Sequence, residues 1–530
     1  MRRVPLQLAC ALVMLMTSGC VSAWRGGTAA LGVAPSGLPW GEESFRRSLA
    51  IEAYDQALAR TAPRGAGGPS DPLLRALFRG QAAYYAGDWG ASAAAFADAD
   101  RLADQRITRS ASRGVLSLVA GDPVLPYVPT RTERLFAHYY GMLGRLQVED
   151  LEGAAVEARR LSQLLERAMD DLDPAERAAH AVLRDAAGAV FEAAGEWNDA
   201  GVAYRNAALL RGTPRAMVDQ IVARRPAADS ATLLFLVEQG FVAHYVERTL
   251  AIPLDDASAA AARRQGARAP GGIAATAPAA PRPSLASRWL AALDGLPDGG
   301  VFDDDEPGEA IARLTSGQVE ASVRQAGPAP RGVRQLGDPR PGGTRMEIRW
   351  PALVRTPLPS APLRVRLDVA LADTARSPWT RDLPLVPGAL AAATVSDAIG
   401  ADARRLRGAR LARLTARTAM RVAAVEAVRD QHGEVAGAMA GLLVSAVERA
   451  DTRGWHTLPG GLAVVRVTVP AGHVQSLVLQ GDDANARQRR WPALTPRPGT
   501  VHVLATRIWR DPEGHVAPPP IAAVFGPVTP

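Results

Sequence analysis

Two distant stretches of this chain carry one and the same spacing of glycines and aromatics. In the first, Gly80 is followed by Gly87, Trp89, Phe96 and Ala99. In the second, Gly188 is followed by Gly195, Trp197, Tyr204 and Ala207. In both, the steps are seven, two, seven and three residues. Seven residues make about two turns of an α-helix, so residues at that step share one face. The second glycine falls where a first helix must stop, because glycine takes up the left-handed cap without steric penalty. The first glycine and the closing alanine are small and let a second helix fold back against the first. The aromatics fill the groove that remains.

Helix, tight turn and second helix at this spacing is the tetratricopeptide pattern. A third, weaker match lies between the two. Tyr139-Tyr140 leads through Glu149-Asp150-Leu151-Glu152-Gly153-Ala154 into Ala158 and Leu161. The stretch from Gly121 to Thr132 carries Pro123, Pro126 and Pro129 and reads as a loop interrupting the array. Three irregular repeats are close to the minimum for a stable solenoid. The alanine-rich, helically patterned stretch from 43 to 230 is therefore expected to be a tetratricopeptide-like helical domain. Tyr84, Trp89, Trp197 and Tyr204 are expected to pack between helices.

Beyond it the pattern changes. Leu233 to Val237 and Ala243 to Val246 bring β-branched and aromatic residues around Gln239-Gly240, which predicts a strand pair over 231–254. Residues 255–283 lose all periodicity, and 327–343 are rich in Pro and Gly, so 255–343 reads as a mostly flexible insert. Met346–Trp350 and Leu363–Val369 alternate polar and apolar residues, as strands with one polar face do. Residues 389–429 are patterned as a helix through Leu411, Leu414, Met420 and Val425, and Ala436–Ala450 as another. Strands follow at Leu462–Val469, Val474–Leu479 and Val501–Trp509. The expected fold class is multidomain α plus α+β. A helical solenoid precedes a C-terminal mixed sheet with packed helices over 344–510, and a Pro-rich disordered tail fills 511–530.

The first residues read as an export signal. Arg2 and Arg3 open an apolar run, Val4 to Met16, that closes on Leu15-Met16-Thr17-Ser18-Gly19-Cys20. A basic start, an apolar middle and small residues before a cut are the parts of a signal peptide, here residues 1–19. The apolar run is short for a membrane span, and no second stretch of eighteen apolar residues occurs. The cysteine directly after Ser-Gly resembles the lipidated residue of a bacterial lipoprotein signal, with Thr17 standing where leucine is commonest. That likeness implies acylation of Cys20, with residues 20–42 as anchor and tether. Val21, where aspartate commonly retains a lipoprotein at the inner membrane, implies the outer membrane, with the body facing the periplasm. The other cysteine, Cys10, lies inside the signal.

The formal net charge is +7. Every basic residue is arginine, and most stand beside acids, as in Glu157-Ala158-Arg159-Arg160. That is the mark of a GC-rich coding bias, not of arginines gathered on one face for nucleic acid, so no nucleic-acid partner is expected.

Several segments are similar to one family. They are Glu133–Tyr140, Glu152–Leu161, Trp350-Pro351-Ala352-Leu353, and Glu448–Pro459 followed by the strand Leu462–Val469 and Pro470-Ala471-Gly472. The chain resembles in them a family of bacterial outer-membrane lipoproteins with N-terminal tetratricopeptide-like repeats, over most of 45–510. The family's lysines near Arg417–Ala427 are absent here, and the insert at 255–283 is longer. Members are often encoded near a lipoprotein that activates penicillin-binding proteins. The resemblance thus implies an envelope role and names no biochemical activity.

A search for catalytic patterns finds no HExxH, no Walker loop and no GxSxG. The carboxylate run Asp303-Asp304-Asp305-Glu306 lacks the spacing of a calcium loop. Neither a cofactor nor a metal site is expected. The best site candidate is Glu448, Asp451, Arg453, Trp455 and His456. These residues read either as a ligand or peptide contact, an aromatic flanked by charges, or as a helix end locked by an Asp451–Arg453 pair with Trp455 buried. The structural alternative is preferred. The expected function is a non-enzymatic envelope scaffold binding proteins through the concave face of its helices, a penicillin-binding-protein activator lipoprotein among the candidates. The alternative is a ligand-binding protein or enzyme with its site around Asp451–Trp455.

Overall fold

The computed structural model describes residues 36–62, 69–109, 125–214, 226–254, 322–325, 344–356, 363–369, 379–384, 394–433, 449–471, 474–481, 489–491 and 495–509. The signal, Cys20, most of the 255–343 insert with its carboxylate run, Glu448 and the tail lie outside them. The described fold is mostly helical, with a small mixed sheet set against the helices.

Helices α1 (Trp40–Ala50) and α2 (Tyr54–Arg60) lead into the first glycine-spaced segment. There α3 (Pro72–Ala86) starts on Asp71, whose side chain accepts from the N–H groups of Leu73 and Leu74, with proline in the first turn. It stops at Gly87, which stands at φ 79°, the left-handed cap the sequence calls for. Helix α4 (Trp89–Arg109) then folds back, and the ring of Phe96 lies on Gly80. A Cβ at residue 80 would come within 2.9 Å of that ring. The second segment does the same. Helix α7 (Arg177–Ala193) turns at Gly195 (φ 77°) into α8 (Trp197–Arg211), and a Cβ on Gly188 would meet the ring of Tyr204 at 2.7 Å. Between them lie α5 (Arg131–Gln147) and α6 (Leu151–Arg167). Helix α5 opens with a full capping box between Thr130 and Glu133. Trp89, Trp197 and Tyr204 pack against the shared core but remain partly exposed, whereas Tyr84 is buried.

Both strands expected at 231–254 are present, β1 (Ser230–Gln239) and β2 (His244–Leu254), but they do not pair with each other. Strand β1 is central in a three-stranded sheet, antiparallel to β7 (Gly461–Pro470) and parallel to β10 (Val501–Ile508). Both its edges are taken, which leaves none for β2. The turn between them, Phe241-Val242-Ala243, is apolar and buried, so the chain dives into the core and leaves the sheet. Strand β2 instead sits between β3 (Ser322–Gln325), inside the expected insert, and β4 (Thr344–Val354). A third, antiparallel sheet runs β6 (Trp379–Pro384), β5 (Leu363–Val369), β8 (Val474–Gly481) and β9 (Arg489–Trp491). Helix α9 (Thr394–His432) covers the long helical pattern, and its first turns place Val395, Ile399 and Ala403 in the same core. The C-terminal strands are thus not separate from the helices: β7 and β10 flank β1, whose Leu234 and Leu236 share one core with the helical array.

A buried polar network crosses that junction. Glu238 of β1 accepts from the hydroxyls of Tyr85 and, at 3.0 Å, Tyr140. Arg507 of β10 donates to the Tyr85 hydroxyl (3.1 Å) and to the carbonyls of Gly240 (2.6 Å) and Thr457 (2.8 Å). Its guanidinium also lies 3.9 Å from the centre of the Trp509 ring. Gln81 donates to Tyr140 and to the Thr457 carbonyl, both at 3.0 Å. Groups this deep are tolerated because each has partners. Burial and the surrounding carboxylate push the Tyr85 and Tyr140 hydroxyls well above the ordinary phenol range, so they stay protonated and donate.

Candidate functional site

The segment 451–456 lines a cavity of about 880 Å³ between the start of α5, the first turns of α9 and the start of β2. Its walls come from residues far apart in sequence, and each is fixed by a different local device.

Glu133 fixes the first wall. As the third residue of α5 it reaches back to its own cap, accepting from the Thr130 N–H at 2.7 Å. The same oxygen takes the Tyr127 hydroxyl. Its other oxygen takes the Trp455 N–H at 2.6 Å. Burial raises the Glu133 carboxyl above its usual range, against the pull of those three donors. Burial and the Glu133 charge push the Tyr127 hydroxyl far up.

Asp71 holds the next. Besides capping α3, it accepts from Arg106 at 2.8 Å and from the Tyr127 N–H at 3.1 Å. Burial alone would raise its carboxyl, but Arg106 and the N–H donors hold it below the usual range. Asp402 of α9 holds the third: it accepts from the Thr132 N–H at 2.9 Å and from Arg405 at 2.7 Å. Arg405 also donates to the buried Glu176 at 2.7 Å. Three acids thus tie the starts of α3 and α5 to neighbouring segments, and the cavity lies between the parts they hold.

The sequence-derived candidates fall here as follows. Asp451 and Arg453 form the expected pair, with Nε and Nη2 of Arg453 on the two carboxylate oxygens at 2.7 and 2.8 Å. Trp455 is 1% exposed. Its ring lies 5.9 Å from those of Phe96 and Tyr140, and its indole N–H donates to Gln81 at 3.1 Å. Ring and N–H are both already engaged, so Trp455 is a plug in the helical array and not an aromatic offered to a ligand. His456 is buried too, edge-on to Phe78 at 4.9 Å and 3.2 Å from the Glu42 carboxylate. Cys20 and Glu448 lie outside the described residues.

What the sequence reading missed, Arg453 apart, is the cation set. Among the described residues the cavity is lined by Arg106, Arg131, Arg134, Arg167, Arg405, Arg410, Arg413 and Arg453, against Glu133, Asp402 and Asp451. Arg410 lies over the Tyr245 ring, 4.7 Å from its centre. Burial alone would lower the Arg410 pKa; Tyr245 and Asp451 outweigh it and keep the group charged. Besides the Asp451–Arg453 pair, the Thr130-x-x-Glu133 capping signature was a local signal for this wall. Among the described residues no cluster of His, Cys, Asp and Glu is placed to hold a metal ion, and none of the helices is long and apolar enough to cross a membrane. Chemically, the arrangement offers guanidinium forks around a partly apolar space. No protein-family model matches the chain, and neither a curated protein nor a solved structure matches it.

Proposed function

We propose that the chain is a non-enzymatic envelope protein that acts by binding, with its ligand site in the cavity beside 451–456. In this reading Cys20 carries the lipid that anchors the body at the outer membrane, facing the periplasm. The helical pairs are tetratricopeptide-like repeats, a reading supported by the ring-on-glycine contacts at Gly80 and Gly188.

The observation that carries the choice of site is the direction of Gln81, Tyr85 and Tyr140. They belong to the leading helices of two pairs, whose inner faces in a solenoid line the concave binding surface. Here that surface is occupied by the chain itself, through Trp455, Thr457, Glu238 and Arg507. A peptide entering there would have to expel Trp455 and break the buried network. The cavity next to it is open. The test is native mass spectrometry of the protein purified from membranes, beside a Leu164→Trp variant that narrows the cavity. A small molecule retained by the wild type and lost from the variant is the expected result; the same molecule retained by both would place the site elsewhere.

A second reading keeps the protein as a scaffold for envelope proteins, the penicillin-binding-protein activator lipoprotein included, using outer faces of the helices. Val156 on α6 and Val202 and Leu209 on α8 favour it, being large, apolar and exposed. Affinity capture with a Val202→Glu/Leu209→Glu variant separates the two: loss of a protein partner there, with no effect of Leu164→Trp, would select the scaffold.

A further inference from the structure

We propose that the cavity takes an organic anion, a phosphate or carboxylate head group joined to an apolar body. The inference rests on reading the cavity as the ligand site, and it names the class of ligand.

The charges of the cavity wall do not cancel. Its acids are answered by the chain: Glu133 by the N–H groups of Thr130 and Trp455, Asp402 by the Thr132 N–H, Asp451 by Arg453. Several of its arginines are not answered in the same way. Half-buried Arg410 rests on an aromatic face, and among the described residues no carboxylate lies within 4.0 Å of it. Among the described residues no carboxylate lies within 4.0 Å of Arg167 either, an exposed residue of the cavity lining. Among the described residues, the carboxylate within 4.0 Å of Arg134 is the well-exposed one of Asp104, at 3.5 Å. Cations left over in a partly enclosed space draw in negative charge. Guanidinium forks suit the paired oxygens of a phosphate or carboxylate better than a single charge would. The rest of the wall is apolar, with Leu135, Leu164, Ile399 and Leu406. A bare inorganic ion would leave that surface wet, whereas an anion with a hydrocarbon body covers it. A volume of about 880 Å³ also suits a molecule of that size, not an ion.

Calorimetric titration of the full chain with octyl phosphate, octanoate and octanol tests this. The expected result is one-site binding of octyl phosphate, octanoate or both, weakening as salt rises, with octanol much weaker. Which anion binds identifies the head group. The Arg410→Gln/Arg167→Gln variant is expected to lose about tenfold in affinity or more, with its thermal unfolding checked beside the wild type. Arg134→Gln, at a more exposed position, is the second variant should the first fail to fold. If octanol binds as well as the anions, the ligand class is overturned while the cavity stands. If none of the three binds, the cavity reading falls with it. If the anions bind equally to wild type and to the folded arginine variants, the site is elsewhere.

Discussion

The main-chain N–H of Trp455 donates to Oε1 of Glu133 at 2.6 Å, across a sequence separation of 322. One carboxylate thereby caps a helix, takes a phenol and fixes the loop that plugs the helical array. Replacing Glu133 with alanine leaves the Tyr127 hydroxyl, the buried Trp455 N–H and the part-buried Thr130 N–H without their acceptor. Lost capping costs about 1 kcal/mol and each orphaned buried donor about 1–3 kcal/mol, so a total of at least about 3 kcal/mol is expected. Glu133→Gln keeps an acceptor oxygen and should lose less. Urea unfolding of both variants measures the difference; an alanine variant as stable as the wild type would mean that this link is not structural.

The Glu238–Arg507 pair gives a second expectation. Arg507 Nη1 lies 3.8 Å from the carboxylate, and both side chains are almost wholly buried. Burial raises the Glu238 carboxyl, against Arg507 and the tyrosine hydroxyls. Removing one partner leaves a buried group unanswered, at about 3–5 kcal/mol, whereas replacing both is far milder than the sum. Arg507→Met, Glu238→Gln and the double variant form the cycle. Additive losses would show that the two residues act independently.

The hairpins were legible in the sequence because everything that makes them is local. Gly80 and Phe96 belong to one helical pair, and the cap at Gly87 depends only on the backbone around it. Here Gly80→Ala and Gly188→Ala should each cost about 1–3 kcal/mol, since the added methyl must push aside a packed ring. Pairing Gly80→Ala with Phe96→Leu should recover part of that loss. No recovery would mean that the ring is not what excludes the methyl.

Strand β1 was legible as a strand, but not its neighbours. An apolar run shows that both faces are buried; it does not show which segments, more than two hundred residues later, take its edges. The site divides in the same way. The Asp451–Arg453 pair spans two residues and could be read directly. The cavity is made where the starts of α5 and α9 and the loop 451–456 converge, and no local pattern records that convergence. The aromatics were only partly separable: Trp455 is buried whereas Trp197 is partly exposed. Trp197→Ala should accordingly cost less than the 3–5 kcal/mol or so of a filled core position, and Trp455→Ala should reach it.

His180 carries the last expectation. It is 1% exposed on α7, and among the described residues neither ring nitrogen has a hydrogen-bond partner. Burial, with Arg184, Arg131 and Arg405 nearby, lowers its pKa from 6.5 to about 3. The folded chain therefore holds the ring neutral, while the unfolded chain protonates it below about 6.5. Between those values the unfolded state binds the extra proton. The contribution is fully present above pH 6.5 and is lost as the pH falls toward 3. At pH 5 the loss should be about 2 kcal/mol, at about 1.4 kcal/mol per pH unit. Raised carboxyls such as Glu133, Glu192 and Glu238 run the other way, gaining stability on acidification, so the total curve alone does not isolate the histidine. His180→Leu does, because it removes one titration and leaves those carboxyls in place. Unfolding measured at pH 7 and pH 5 should show the variant closing about 2 kcal/mol on the wild type between the two. An unchanged gap would mean that His180 is not held neutral in the fold.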